Sequence, residues 1–172
     1  MADQAKVRRQ MLTQEELKRQ LSYDPDTEVF KWAIRKLKVK FGAVAGKTKP
    51  KGYIEIRVNL VSYQAHRLAW LYVHGVWPDG LVDHINRNPS DNRIENLRVA
   101  NHQQNFRNVP VGRRSSTGIK GVSPHAASGK YRAAIRVDKR RIWLGLFSTV
   151  EEAAQAYRAA SEAHHGEFAH HE

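Results

Sequence analysis

The sequence predicts an α+β protein built from a strand-loop-strand-helix unit followed by a three-stranded antiparallel sheet packed on one helix. Three observations carry that prediction. Leu81 to Asn108, LVDHINRNPSDNRIENLRVANHQQNFRN, holds two short apolar runs separated by a polar loop and closed by a helix start. Residues 119–147 then alternate with period two in three runs, and from Ser148 the pattern turns alanine-rich and helical. The whole chain has 172 residues, a formal net charge of +12 and no cysteine. That charge favours a phosphate-rich partner over a neutral ligand. Without cysteine, disulfides and Cys-rich zinc ribbons are excluded, and a reducing cytosol is the expected setting. No apolar run is long enough to span a bilayer and no signal-peptide core is visible, so no membrane partner is expected.

Residues 1–22 mix Lys6, Arg8, Arg9, Lys18 and Arg19 with Leu12, Leu17 and Leu21, and Thr13 followed by Glu16 is a capping-box pattern. The expectation is an N-terminal helical appendage with a helix over Gln14 to Leu21. Tyr23 to Thr27 is turn chemistry, and Glu28 to Trp32 should be a strand. Lys31 to Lys51 carries eight basic residues, Lys38 among them, and no acidic one, punctuated by Gly42 and Gly46. Short hairpins with a basic face fit it, either solvated or contacting phosphate. Tyr53 to Leu60 alternates, with Ile54, Ile56, Val58 and Leu60 on the apolar side. Ala65 to His74 reads as a helix ended by Gly75, with Leu68, Leu71 and Tyr72 as core positions and with His66 and Arg67 outside the active-site set.

In the central stretch, Asp83 and His84 end one strand, residues 86–92 form a loop, Leu97 to Val99 returns as a strand, and Asn101 with Gln104 opens a helix. On that reading the Asp83 carboxylate and the Asn105 amide oxygen could share one hard cation. Mg²⁺ suits such a site because it keeps most of its waters and takes one or two protein oxygens plus phosphate oxygens. His84, neutral near pH 7, is the candidate general base for phosphodiester hydrolysis, and Asn96 would hold the hairpin so that His84 points at the water.

The segment from His66 through Asn108 closely resembles the HNH (His-Me finger) endonucleases of phage and intron-encoded homing type. The resemblance implies a ββα-metal nuclease module with Asp83 and Asn105 as metal ligands, His84 as base, Asn96 as its support, and one Mg²⁺ or Mn²⁺ ion per site. Asn105 in place of a final histidine is usual in that subfamily.

Val109 to Thr117, with Arg113 and Arg114, has linker composition. Beyond it, Ile119 to His125, Lys130 to Asp138 and Arg141 to Phe147 read as strands. Ser148 to Glu151 reads as a capping box opening a helix to about His165. Parity puts Tyr131, Ala133, Ile135 and Val137 on one face and Lys130, Arg132 and Arg136 on the other. In the third strand Ile142, Leu144 and Leu146 alternate against Arg141 and Trp143. An outward face of arginines with a tryptophan suits a sheet lying in the DNA major groove. From Thr117 to Ala169, above all in WLGLFSTVEEAAQAY, the chain closely resembles the apetala-two (ethylene-response-factor) DNA-binding domain. That resemblance places DNA contacts on Lys120, Lys130, Arg136, Arg141 and Trp143. Ser123 and His125 stand where plant members usually have arginines, and Ala134 replaces an acidic residue, so the docking mode carries over and the plant recognition sequence does not. The histidines His164, His165, His170 and His171 invite a zinc reading, but a frayed polar terminus is the expectation.

The expected organisation is 1–22 appendage, 23–108 nuclease, 109–116 linker and 117–172 DNA-binding domain. Function follows as a sequence-directed, metal-dependent homing endonuclease acting on double-stranded DNA as a monomer, with no obligate protein partner. A non-catalytic DNA-binding transcriptional regulator that retains the nuclease fold is the first competitor. An RNA-binding basic protein is the second, disfavoured because the deep, narrow major groove of A-form RNA does not admit such a sheet.

Overall fold

The computed structural model describes residues 12–37, 39–109, 111–112 and 115–169. Lys6, Arg8, Arg9, Lys38, Arg113, Arg114, His170 and His171 lie outside them. The chain divides into two compact units, residues 1–99 and 100–172.

The first unit begins with α1 (Gln14–Gln20), capped by the Thr13 hydroxyl, which accepts from the Glu16 N–H at 3.2 Å. Its apolar side is driven into the core: Leu12, Leu17 and Leu21 are all buried with Phe30, Ile56, Val58, Leu68, Leu71 and Leu97. The Trp77 indole N–H also donates to the Leu12 carbonyl, and the Gln14 amide to the Tyr72 carbonyl. The segment expected as an appendage is therefore, from Leu12 on, part of the unit's core. Burying three leucine side chains contributes about 1.5–3 kcal/mol each.

After α1, β1 (Leu21–Tyr23) pairs antiparallel with β2 (Phe30–Trp32). A second sheet, in order β3 (Lys47–Thr48), β4 (Ile54–Val58) and β5 (Val61–Gln64), is antiparallel throughout. Ile56 and Val58 are buried as the alternation predicts, but Leu60 is 80% exposed. It sits with Asn59 in the tight β4–β5 turn, both residues at positive φ (65° and 48°), so the strand stops before parity can bury it. α2 (Ala65–His74) ends at Gly75, whose φ of 77° is the left-handed cap glycine tolerates best. Last come β6 (Leu81–His84), a 3₁₀ turn at Ile94–Asn96, and β7 (Leu97–Ala100), which pairs with β6.

The second unit opens with α3 (His102–Asn108), where Asn101 and Gln104 exchange side-chain-to-backbone hydrogen bonds at 2.8 Å each. α3 packs against the 3₁₀ turn at Gly166–Phe168, which explains why it groups with this unit ahead of the expected boundary after Asn108. β8 (Val122–His125), β9 (Lys130–Val137) and β10 (Arg140–Phe147) form an antiparallel sheet with β9 central, and α4 (Val150–His165) covers one face. Val122, Ala133, Ile135, Ala153 and Tyr157 make its core.

Three details differ from the sequence reading. The capping box of α4 is one residue later, with Thr149 as the cap and Glu152 reaching back. A register shift between Trp143 and Gly145 turns the end of β10 over, so Phe147 packs inward and Leu146 faces out at 39% exposure. Finally, His165 is not frayed: it is buried beside Ser161, with Nε2 3.3 Å from the Arg136 carbonyl.

Candidate active site

The loop between β6 and β7 is fixed by amides and carboxylates rather than by apolar packing. Asn96 is its hub. Its Oδ1 accepts from the Asn86 N–H at 2.9 Å, and its Nδ2 donates to Asn86 Oδ1 (3.0 Å) and to the Asp91 carbonyl (2.8 Å). Asp91 in turn takes the Arg93 guanidinium as a fork, Nε to Oδ1 at 2.9 Å and Nη2 to Oδ2 at 2.7 Å. Those bonds hold the Asp91 carboxyl well below the usual carboxylate range. Asn96 thus ties the loop together at Asn86 and Asp91.

His84 is 5% exposed at the end of β6. Its Nε2 lies 3.3 Å from Asn92 Oδ1. An amide oxygen only accepts, so the pair is satisfied with the proton on Nε2 and the lone pair on Nδ1. Burial pushes the His84 pKa down, against the upward pull of Asn92, Asp83 and Asp91. The imidazole is thus neutral at pH 7, the state a general base requires. Asn92 is itself fully buried, accepts from the Tyr23 hydroxyl through its carbonyl at 2.7 Å, and has its N–H on the Glu28 carboxylate.

Two further rings enclose His84. His66 meets it edge-on at 5.0 Å between centroids, and Tyr53 lies 6.0 Å from it. Burial lowers the His66 pKa to about 3, and its buried Nδ1 has no hydrogen-bond partner among the described residues. Asp83, 7% exposed, accepts two bonds on Oδ2 from Arg98, Nε at 3.0 Å and Nη2 at 2.9 Å.

Asp83, His84 and Asn96 thus come together in one hairpin. Asn105 lies half-buried in the first turn of α3, within the other compact unit, its N–H donating to the Asn101 carbonyl. Sequence reasoning missed Asn92, Arg98 and the closeness of His66 to His84. Only the last had a signal, since His66 opens a helix that the same resemblance covers. As a test of metal chemistry, no group of three or more His, Cys, Asp or Glu among the described residues could hold an ion. A buried carboxylate is nevertheless the hard oxygen donor that Mg²⁺ takes singly, with water and phosphate oxygens completing its shell. Arg98 would share that carboxylate.

The second candidate surface is the open face of the β8–β10 sheet. Register sets His125 opposite Lys130, Ser123 opposite Arg132, Arg132 opposite Leu146, Ala134 opposite Trp143, and Arg136 opposite Arg141. Trp143 is 56% exposed. Arg132 donates Nε and Nη2 to Ser123 Oγ at 3.2 and 3.0 Å, while Lys120, in the turn before β8, donates to the Val109 carbonyl.

Residues 63–107 match the family described as HNH endonuclease. Protein 3.8 of Escherichia phage T7 is 29% identical over 105 residues, covering 60% of this chain and 86% of the phage protein. A protein of Acanthamoeba polyphaga mimivirus named as an uncharacterized HNH endonuclease is 33% identical over 116 residues, 66% of this chain and 59% of the viral one. An ethylene-responsive transcription factor of Arabidopsis thaliana is 50% identical over 48 residues, 27% of this chain and 14% of the plant protein. No solved structure matches. These similarities support a nuclease of the HNH kind; the short plant match lends slight support to the second resemblance. No helix among the described residues is long and apolar enough to cross a membrane.

Proposed function

We propose that this protein is a sequence-directed DNA endonuclease of homing type, hydrolysing phosphodiester bonds with His84 as general base. The observation that carries the proposal is the buried, neutral imidazole beside the buried carboxylate of Asp83, with its Nε2 proton engaged by Asn92. His84 Nδ1 takes the proton of the attacking water, and the His66 and Tyr53 rings hold the imidazole plane while it does so. Asn96 keeps the hairpin closed behind it. Asp83, with Asn105 as the second oxygen donor, would hold one Mg²⁺ or Mn²⁺, which when bound offsets charge on the scissile phosphate and the departing sugar oxygen. The products are a 5′-phosphate and a 3′-hydroxyl. Arg98 lies where its guanidinium can pass from Asp83 to a phosphate oxygen.

We take residues 12–108 as the catalytic module, with α1 in its core, 109–116 as linker and 117–172 as the module that docks on DNA. Sequence is read by the open sheet face, through Arg132, Arg136, Arg141 and Trp143, with Lys120, Ser123, His125 and Lys130 at its margin. The protein acts as a monomer, one site per chain, in the cytosol of a host cell; its likeness to a T7 protein supports that setting.

The test is cleavage of supercoiled plasmid with Mg²⁺ or Mn²⁺, and with EDTA. Metal-dependent nicking that His84→Ala abolishes, with DNA binding retained, is the expected result. Tight DNA binding by the parent protein with no cleavage in either metal would instead make it a non-catalytic regulator.

A further inference from the structure

One part of the basic segment at 31–51 reaches the hairpin. The turn Lys49-Pro50-Lys51-Gly52, between β3 and β4, closes on itself through Lys49 N–H to the Tyr53 carbonyl and Gly52 N–H to the Lys49 carbonyl, both at 2.8 Å. It is pinned to the β6–β7 loop: Ser90 Oγ donates to the Gly52 carbonyl at 2.8 Å. Gly52 has a φ of +85°, and a Cβ there would meet Pro89 Cγ at 2.8 Å, so glycine is what permits this approach. The next residue, Tyr53, is the one whose ring flanks His84.

Glu55 is the carboxylate facing this strand pair, and it is taken by Lys49 at 2.8 Å. Lys47 and Lys51 are exposed and have no carboxylate partner among the described residues. No acidic residue occurs between Glu28 and Glu55. Two unneutralised ammonium groups are thus carried on a short, hydrogen-bonded element braced against the catalytic loop.

We propose that Lys47 and Lys51 form a phosphate-contact site that grips the DNA backbone beside the scissile bond. The inference rests on the nuclease reading above and adds a site to it. A lysine is a point charge on a flexible stem, suited to backbone phosphate rather than to base edges. The contact therefore supplies affinity and register near the cut, and no sequence preference.

The experiment uses the full chain carrying His84→Ala, so that DNA is bound and not cut, with and without Lys47→Gln and Lys51→Gln. Binding to a duplex is followed as salt is raised. The double substitution is expected to lower the slope of log K against log salt by about 2, near 0.9 per phosphate lost, and to weaken cognate and unrelated duplexes equally. Lys18→Gln with Arg19→Gln, on exposed positions of α1, serves as the charge-matched control and leaves the slope unchanged. A slope unaltered by the Lys47 and Lys51 changes, or lowered equally by the control, overturns the site. Failure of the nuclease reading shows separately, as absence of metal-dependent cleavage by the unsubstituted protein.

Discussion

The β6–β7 hairpin and the open face of the β8–β10 sheet are both built from polar and charged side chains, and they use them in opposite ways. In the hairpin Arg93 spends its fork on Asp91, and Asn92 and Asn96 sit buried among hydrogen bonds. On the sheet Arg136 faces another cation, Arg141, directly across the strands. Buried polar groups cost free energy unless satisfied, so the hairpin's residues have fixed positions before any substrate arrives. Like charges facing each other on an exposed strand pair are mildly destabilising, a cost that the DNA contact proposed for this face would offset. A region whose polar groups satisfy one another can do chemistry; a region whose charges repel can bind.

The contrast is tested most severely by His84→Ala. Loss of a general base lowers turnover by about 10²- to 10⁴-fold. Because His84 is buried in the hairpin and docking is proposed for the sheet, equilibrium binding to DNA is expected to stay within about 2-fold. A variant that lost binding and turnover together would erase the division between the two regions.

Acid is the next largest probe, and beside His84 it acts on His66. His66 titrates at about 3 in the folded protein and near 6.5 when unfolded, mainly because burial disfavours the charged ring. The unfolded chain therefore binds the extra proton first, and stability present above about pH 6.5 is lost as pH falls toward 3. The His84 shift runs in the same direction, so cleavage should persist below pH 6.5. His66→Phe keeps the ring against His84 and removes the titration. Its urea midpoint should change less between pH 7 and about pH 4.5 than the parent's; an equal change would place the acid sensitivity elsewhere.

Arg136→Gln with Arg141→Gln sharpens the sheet side. Each arginine lost from a DNA contact costs about 1–3 kcal/mol of binding. Relieving the facing pair should meanwhile raise folding stability by a few tenths of a kcal/mol. Opposite signs in the two measurements are the expected signature. Weaker binding accompanied by weaker folding would mean that the arginines hold the sheet together.

How much of this was legible in the sequence differs between the regions for the same physical reason. Strand parity is a local property, so Arg132, Arg136, Arg141 and Trp143 could be put on one face by counting. On this sheet counting failed beyond Gly145, whose positive φ of 135° accompanies the bulge that turns Leu146 outward. In the hairpin the two strands were readable, and so was the presence of Asp83, His84 and Asn96 in it; the cap that Asn101 and Gln104 make on α3 was readable as well. The partners were not. Asn92 meets His84 only because the loop doubles back, and Arg98 reaches Asp83 only through the pairing of β6 with β7. Leu12, Leu17 and Leu21 were visible as apolar residues in a basic segment, but nothing local says that they are buried.

The smallest predicted effect is also the most direct comparison of the two regions, because it sets one hydrogen-bonding residue of each side by side. Ser123 Oγ accepts from Arg132 on the open sheet face, where water can replace the hydroxyl as acceptor. Ser123→Ala should therefore cost at most about 0.5 kcal/mol of stability by chemical denaturation. Asn96→Ala leaves the buried Asp91 carbonyl short of a partner, and such an orphan costs about 1–3 kcal/mol. If the two substitutions proved equally harmless, the hairpin's polar network would be solvated like the sheet face, and the pre-organisation attributed to His84 would go with it.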